Sequence, residues 1–198
     1  MNKRTVCLTE EQYNNIITTM REGTEYNNIK ILPNNKVATA LVTEANLGIR
    51  ISDILNLTMK SFVRDGNKDD GSPRYRLDII EQKTQKKRTF TVNNELYNFL
   101  RDYADEENMR PSDRLFPLTP RAIQIHLQKI CSALGYDASI STHSFRKYFA
   151  TGVYQKNGHD IRLVQTLLQH SSTAITEKYI GISQEQIENA IESQLNLI

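Results

Sequence analysis

The sequence lacks several features that mark common protein classes. It contains no tryptophan and two cysteines, Cys7 and Cys131, which are far apart and outside any CxxC or CxxH pattern. A disulfide framework and a zinc site are therefore not expected. No apolar run approaches the ~20 residues that cross a bilayer, and the N-terminal stretch MNKRTVCLTEEQ is too polar for a signal peptide. We therefore expect a cytoplasmic protein with no membrane partner.

Several catalytic motifs are also absent. The chain has no GxxxxGK[ST] or GxGxxG loop, no HExxH pair and no GxSxG turn. These absences argue against an ATPase, a dinucleotide enzyme, a zinc protease and a serine hydrolase. With 198 residues, 38% apolar and 24% charged, the chain has the composition of one globular domain with at most an appendage.

The charge is unevenly distributed along the chain. The formal net charge is +2, but the residues from Gly181 onward include three glutamates and no base, which leaves 25 basic and 20 acidic side chains before them. A basic body with an acidic tail suits a protein that binds a polyanion, although asymmetry of this size is also common in proteins that bind no nucleic acid.

Apolar spacing and capping residues predict a mainly helical chain with a small sheet. Three short extended runs between Lys60 and Asn93, namely SFVRD, RYRLDII and RTFTV, predict a three-stranded antiparallel sheet. Helices are predicted at Leu8–Arg21, Lys36–Asn46, GIRISDILNL, ELYNFLRDYADEEN, PRAIQIHLQKICSAL, HSFRKYFATGVYQK, IRLVQTLLQH and 173–179. After Gly181, Ile187, Ile191 and Leu195 form one stripe of a predicted amphipathic tail helix.

A set of basic and aromatic residues lies at the ends of these predicted elements. They are Arg50 in GIRISDIL, Lys83 in EQKTQKK, His143 and Arg146 in STHSFRKYFA, His170 in LLQHSS, and Tyr179 in ITEKYI. In this order and spacing, from about Leu8 to Ile180, they resemble the catalytic domain of the tyrosine recombinase (phage integrase) family. The resemblance implies an α+β fold, mainly α, with a small three-stranded antiparallel sheet.

The chemistry of these residue types fits attack on a phosphodiester by a phenol. Two arginines, Arg50 and Arg146, stabilise phosphoryl charge well through planar bidentate contacts. A phenol, with a pKa of about 10, is a poor nucleophile at neutral pH and needs cations and a proton acceptor nearby. His143 is suited to accept or relay that proton, and it lies three residues before Arg146, on the same face of the first helical turn.

The resemblance implies roles for the remaining residues. Lys83, on a hairpin, would protonate the departing 5′ oxygen, and His170 would hydrogen-bond the phosphate. Tyr179 would be the nucleophile that forms a 3′-phosphotyrosyl link, with no metal or other cofactor. Asp53, three residues after Arg50, would support that arginine from the side.

Two of these sites also have structural interpretations. Arg50 and Asp53 have the spacing of an ordinary intrahelical ion pair. EQKTQKKR is typical of a solvated hairpin tip, and Lys86 or Lys87 is an alternative to Lys83. The resemblance favours Lys83, because this lysine precedes a threonine at the end of the second predicted strand.

The two residues near the end of the domain have structural alternatives as well. A histidine such as His170 at the end of an apolar helix is usually a C-cap or a core residue. A tyrosine such as Tyr179 between apolar neighbours is normally part of the core. The shared order and spacing of all six residues favours the catalytic interpretation.

Further DNA contacts are expected from exposed basic and amide side chains. Arg121, Gln124 and Gln128 lie near the polar side of one predicted helix, where they would contact bases or phosphates, although a solvated face is an equal alternative. Lys86, Lys87 and Arg88 are candidates for contacts to the DNA backbone.

The resemblance implies a domain organisation and an assembly. Residues 1–180 would be the catalytic domain, and residues 181–198 a tail helix that docks on a neighbouring protomer or on its own domain. The N-terminal core-binding domain of most family members is absent from this sequence, as in a naturally short recombinase or an excised catalytic domain. The partner would be double-stranded DNA at a specific recombination site, bound by a homo-tetramer that is monomeric when free.

The function expected is therefore site-specific cutting and rejoining of DNA for integration, excision or inversion. A type IB topoisomerase-like strand transferase is one alternative, which relaxation of plasmid DNA without a specific site would favour. A non-catalytic DNA-binding regulator is another, for which a missing catalytic residue would be the signature. None of the six residues is missing.

Overall fold

The computed structural model describes residues 5–136, 139–177 and 179–180. The chain divides into two compact units, residues 1–149 and residues 150–198.

Eight α-helices and five strands are found in the described residues. The helices are α1 Glu10–Glu22, α2 Asn35–Leu47, α3 Ile51–Ile54, α4 Asn94–Glu106, α5 Pro120–Ala133, α6 Thr142–Lys156, α7 Ile161–Leu168 and α8 Thr173–Glu177. The strands are β1 Thr24–Tyr26, β2 Ile29–Ile31, β3 Phe62–Asn67, β4 Pro73–Ile80 and β5 Lys87–Val92. None of the described helices is long and apolar enough to cross a membrane.

The predicted helix starts are confirmed where a capping residue marks them. Thr9 accepts from the Gln12 backbone N–H, and the Gln12 side chain accepts from the Thr9 N–H, which closes the capping box of α1. Thr119 caps α5 with Pro120 in its first turn, and Asp160 caps α7. Each such cap stabilises its helix by about 1 kcal/mol.

The predicted sheet is confirmed as three antiparallel strands in the order β3-β4-β5. The pairing of β4 with β5 runs from Tyr75 opposite Val92 to Ile80 opposite Lys87. Leu77 and Val92 are fully buried and belong to the hydrophobic core of the first unit. The turn that follows Ile80 therefore projects from the end of a well-anchored hairpin.

The segment between α1 and α2, where the sequence patterns predict no helix or strand, contains two short strands. It forms the β1–β2 hairpin, with Thr24 opposite Ile31 and Tyr26 opposite Ile29. Asn27 and Asn28 make the turn with φ values of 50° and 59°. Asparagine tolerates this left-handed region better than most residues, and two such residues make the turn that matches strand twist.

The helix predicted in GIRISDILNL is confirmed but is only one turn long, Ile51–Ile54. It ends early because the Asn56 side chain donates to the Ser52 carbonyl, while the Leu57 carbonyl accepts from the Leu115 N–H instead of a helical partner. Ile54 and Leu57 are fully buried. Buried apolar side chains therefore hold the short helix, and Arg50 at its N-cap, in place.

The helix predicted over residues 173–179 is confirmed as α8, which ends at Glu177. The predicted tail helix after Gly181 lies outside the described residues.

Candidate active site

Arg50 stands at the N-cap of α3, directly after the turn that ends α2. Gly48 makes that turn with φ of 59°, and an added Cβ would overlap the ring of Phe149. The Arg50 guanidinium is mostly buried, and its Nη1 donates to Glu81 Oε2 over 2.9 Å. Among the described residues, Glu81 is its hydrogen-bond partner. The intrahelical ion pair of Arg50 with Asp53 is therefore not formed.

Asp53 contacts the turn between β4 and β5. Its Oδ1 accepts a hydrogen bond of 2.8 Å from the Gln82 backbone N–H. Burial raises the pKa of Asp53, and the hydrogen bond from Gln82 opposes that rise. The predicted supporting residue thus lies on the short helix that Arg50 caps, and it contacts the turn that carries Lys83.

Glu81 is a fully buried carboxylate with three side-chain donors. Its Oε1 accepts from Arg88 Nη1 over 2.9 Å, and its Oε2 accepts from Arg50 and, over 2.8 Å, from the Thr84 hydroxyl. Burial alone would raise the pKa of Glu81, but hydrogen bonds from Thr84 and Arg88 and the positive charge of Arg50 bring it below its ordinary value. The carboxylate is therefore ionised at neutral pH.

Lys83 lies in the turn of residues 81–86, with its side chain exposed. The Glu81 N–H donates to the Lys86 carbonyl, and the Gln85 N–H donates to the Glu81 carbonyl. The alternatives to Lys83 differ in their surroundings. Lys86 is exposed in the same turn, whereas Lys87 pairs with Asp78 over 3.2 Å on β5.

His143 and Arg146 occupy the first turn of α6, as predicted. The Ser144 hydroxyl accepts from the Ser141 N–H, and the Gln124 side chain both accepts from the Thr142 N–H and donates to the Ile140 carbonyl. Side chains from two elements therefore fix the start of this helix. Gln124, predicted to contact DNA, is instead engaged in the protein, because its amide replaces backbone partners that the loop lacks.

Four cationic side chains act on His143. Partial desolvation, together with the positive charges of Arg146, Arg50, Lys83 and Lys147, lowers the pKa of His143 below its ordinary value. The first unit thus brings together the four residues predicted in it. A neutral imidazole among cations is suited to accept a proton beside a bound anion.

A buried carboxyl that the sequence interpretation missed lies close to Arg146. Glu44 on α2 is fully buried, and among the described residues neither of its oxygens has a partner within hydrogen-bonding geometry. Desolvation raises the pKa of Glu44 well above its ordinary value, against the charge of Arg146 and the nearby Ile51 N–H. The neutral acid is therefore the favoured form.

His170 and Tyr179 lie together in the second unit. The His170 ring centroid is 4.8 Å from that of Tyr179, and its Nδ1 is 3.1 Å from the buried Thr176 hydroxyl. The C-cap of α7 is Gln169, with φ of 53°, so His170 is not the cap. Both rings are half-buried, which places the two predicted residues side by side rather than in the core.

The family model described as "Phage integrase family" matches residues 7–186. This chain belongs to the phage integrase family.

Individual family members agree with this assignment. The probable integrase/recombinase YoeC of Bacillus subtilis is 36% identical over 146 residues, covering 71% of this chain and 74% of that protein. Tyrosine recombinase XerC of Bradyrhizobium diazoefficiens is 30% identical over 148 residues, covering 71% of this chain but 44% of that protein. The chain thus spans less than half the length of this XerC relative.

Solved structures confirm the recombinase catalytic fold, α+β and mainly α. The XerH site-specific recombinase in a post-cleavage complex with difH substrate superimposes with a TM-score of 0.72 at 23% identity, covering 96% of this chain and 53% of that one. The catalytic domain of bacteriophage HP1 integrase gives 0.61 at 18% identity and covers 96% of both chains.

Two further predictions about this family member can be checked in the structure. Arg88, proposed to contact DNA, is fully buried against Glu81 and packs over the Phe90 ring, with 5.0 Å to its centroid, so that prediction is wrong. Arg121 and Gln128 on α5 are exposed, as a DNA contact requires. Arg88, Phe90 and Val92 alternate on one face of β5, and this period of two was a signal for the buried arginine.

Proposed function

We propose that this chain cuts and rejoins DNA strands at a specific site through a covalent 3′-phosphotyrosyl bond at Tyr179. The convergence of Arg50, Arg146 and Lys83 on His143 carries the proposal, since these residues come from three separate elements. Such a cluster is suited to bind a phosphodiester and to take a proton at the same place.

The proposed cleavage step balances without a cofactor. The Tyr179 Oη attacks the phosphorus, the bond from phosphorus to the 5′ oxygen breaks, and a 5′ hydroxyl leaves. The phenolic proton passes to His143, and Lys83 supplies a proton to the departing oxygen. Rejoining is the reverse reaction, in which a 5′ hydroxyl attacks the phosphotyrosine.

Charge stabilisation is assigned to the two arginines and His170. Arg50 and Arg146 would bind the non-bridging oxygens, and removing one such donor from a preorganised site typically costs about 100- to 1,000-fold in rate. The hydrogen bond between His170 Nδ1 and the Thr176 hydroxyl supports the role of His170, because it fixes the orientation of the imidazole ring.

DNA is the proposed partner, bound by four copies of a chain that is monomeric when free. Structures similar in fold include the XerH recombinase bound to difH substrate and the Tn1549 transposon integrase in complex with transposon right end DNA. The exposed Lys86 and Arg121 are proposed to contact the DNA backbone. Deleting residues 183–198 is expected to abolish assembly on DNA without preventing monomer folding, as measured by light scattering during size-exclusion chromatography.

The covalent intermediate provides the test. The chain is incubated with nicked suicide duplexes taken from the DNA that flanks its gene, and the products are separated by denaturing electrophoresis. We expect a protein–DNA adduct with the unmodified chain and none with Tyr179→Phe. Tyr154→Phe is the matched control, since Tyr154 is a half-buried tyrosine of the same unit that packs on His159.

Two results would contradict the proposal. An adduct that persists in Tyr179→Phe would assign the nucleophile elsewhere. Relaxation of plasmid DNA that lacks any site recognised in the adduct assay would favour a topoisomerase-like activity instead.

A further inference from the structure

Glu81 lies between the two groups that the proposed reaction needs on opposite sides of the phosphate. It contacts Arg50, which would bind a non-bridging oxygen, and it contacts the turn of Lys83, which would protonate the leaving oxygen. No step of the reaction uses the carboxylate itself. Its side chain is 1% exposed, and both of its oxygens accept hydrogen bonds from side chains of the protein.

The two oxygens of this carboxylate divide their contacts. Oε1 accepts from Arg88, whose side chain is buried beside it, so this pair fixes the plane of the carboxylate. Oε2 accepts from both Arg50 and the Thr84 hydroxyl, at 2.9 Å and 2.8 Å. One atom therefore sets the position of the guanidinium and of the turn at once.

The turn is held on both sides of Lys83. Gln82 is bound through its backbone N–H to Asp53, and Thr84 is bound through its hydroxyl to Glu81. Asp53 belongs to α3, the same short helix that Arg50 caps. The turn is thus fixed to the helix of Arg50 directly by the hydrogen bond from Gln82 to Asp53, and to the Arg50 side chain through Glu81, while Lys83 itself stays exposed.

We propose that Glu81, the first residue of the turn that carries Lys83, is a positioning residue: its carboxylate binds Arg50 on one side and the Thr84 hydroxyl, which directly follows Lys83, on the other. The inference rests on the proposed function, because it assigns Lys83 and Arg50 to the same phosphate. A displacement of about 1 Å in a positioned group can cost about 100-fold in rate.

The hydrogen bond from the Thr84 hydroxyl to Glu81 can be removed without changing Arg50. Thr84→Val keeps the shape of the side chain and removes the hydroxyl, whereas Thr84→Ser keeps the hydroxyl and is the matched control. Residue 84 is exposed, so both variants are expected to fold. Glu81→Gln replaces one acceptor oxygen with an NH2 donor, so it disturbs the contact with Arg50 as well as the contact with Thr84.

Cleavage rates on two substrate analogues distinguish a misplaced Lys83 from a misplaced Arg50. In a 5′-bridging phosphorothiolate duplex the leaving group is a thiolate, which needs no proton, so a misplaced general acid no longer slows cleavage. In a methylphosphonate duplex a methyl group replaces one non-bridging oxygen and the linkage is uncharged, so a misplaced arginine matters less. Single-turnover adduct formation is measured on the natural duplex and on both analogues.

We expect Thr84→Val to slow cleavage of the natural duplex about 10-fold and to match Thr84→Ser on the phosphorothiolate, since only proton transfer is lost. Glu81→Gln should slow the natural duplex by about 100-fold and recover only in part on either analogue. A uniform loss of stability does not depend on the leaving atom, so it cannot produce this pattern.

Three outcomes would overturn the inference. They are a natural-duplex rate for Thr84→Val equal to that of Thr84→Ser, a slow rate that the phosphorothiolate leaves unchanged, and a Glu81→Gln protein that folds and cleaves normally. Failure of the proposed function is distinguishable from all three, because the unmodified chain itself would then form no adduct.

Discussion

Replacing Glu44 by glutamine is expected to change how the stability of the chain depends on pH. The buried carboxyl has a raised pKa in the folded chain, chiefly because desolvation disfavours its charged form. Its ordinary value in an unfolded chain is close to 4.5. The favourable contribution of the proton is therefore complete below that value and is lost as the pH rises towards the folded pKa.

The size of the effect follows from this difference. For each pH unit over which the folded chain keeps the proton and the unfolded chain has lost it, the free energy of unfolding falls by about 1.4 kcal/mol. Even one such unit is a measurable part of the stability of an ordinary domain, which is about 5–15 kcal/mol. Glu44→Gln has the shape of the neutral acid and no proton to lose.

Urea unfolding at a series of pH values from about 5.5 to about 7.5 measures the effect. Relative to the unmodified chain, Glu44→Gln should gain stability steadily as the pH rises. Glu25→Gln is the matched control, because Glu25 is exposed on β1 and its loss removes a carboxyl without changing any buried group. Its curve should run parallel to that of the unmodified chain.

One result would refute the reasoning. If Glu44→Gln is less stable than the unmodified chain by a constant amount over the whole range, the carboxylate is ionised and the charge of Arg146 outweighs desolvation. If Glu44 is neutral as expected, it does not offset the positive charge of Arg146.

Three further predictions concern two residues of the proposed active site and the glycine turn that precedes Arg50. Lys83→Ala should slow adduct formation about 100-fold, and Lys68→Ala, at an exposed lysine between β3 and β4 that has no proposed role, should leave the rate unchanged. The rate of the unmodified chain should fall as the pH drops through the lowered pKa of His143, below 6.5, and His143→Gln should lose this acidic limb. Gly48→Ala should lower stability by about 3 kcal/mol in urea unfolding, whereas Gly71→Ala, also at positive φ but in open space, should cost about 1 kcal/mol.

Much of the fold could be predicted because its signals are local. Thr9, Thr119 and Asp160 each mark a helix start within three residues of their hydrogen-bond partners. The β1–β2 hairpin was missed although its signal is also local, since the pair Asn27–Asn28 is typical of a two-residue turn. The predicted helix after Arg50 was too long because its end depends on a contact with Leu115, far along the chain.

The site was predictable where single residue types carry the chemistry. His143 and Arg146 lie on one helical turn, and their proximity follows from spacing alone. Glu81 was missed because its role depends on Arg50, which lies 31 residues away. Arg88 was assigned wrongly because its charge was considered without the alternation of β5. An arginine can be buried there because the Glu81 carboxylate pairs with its guanidinium.

The hydrogen bond from the Gln82 backbone to Asp53 allows the side chain at position 82 to be replaced. The donor is a backbone N–H, which every residue except proline provides, so the side chain at position 82 can vary while the anchor persists. A comparison of related sequences for pairs that change together would not detect this contact. The loop beside the active site can therefore acquire new surface chemistry during evolution while its tether to α3 is inherited intact.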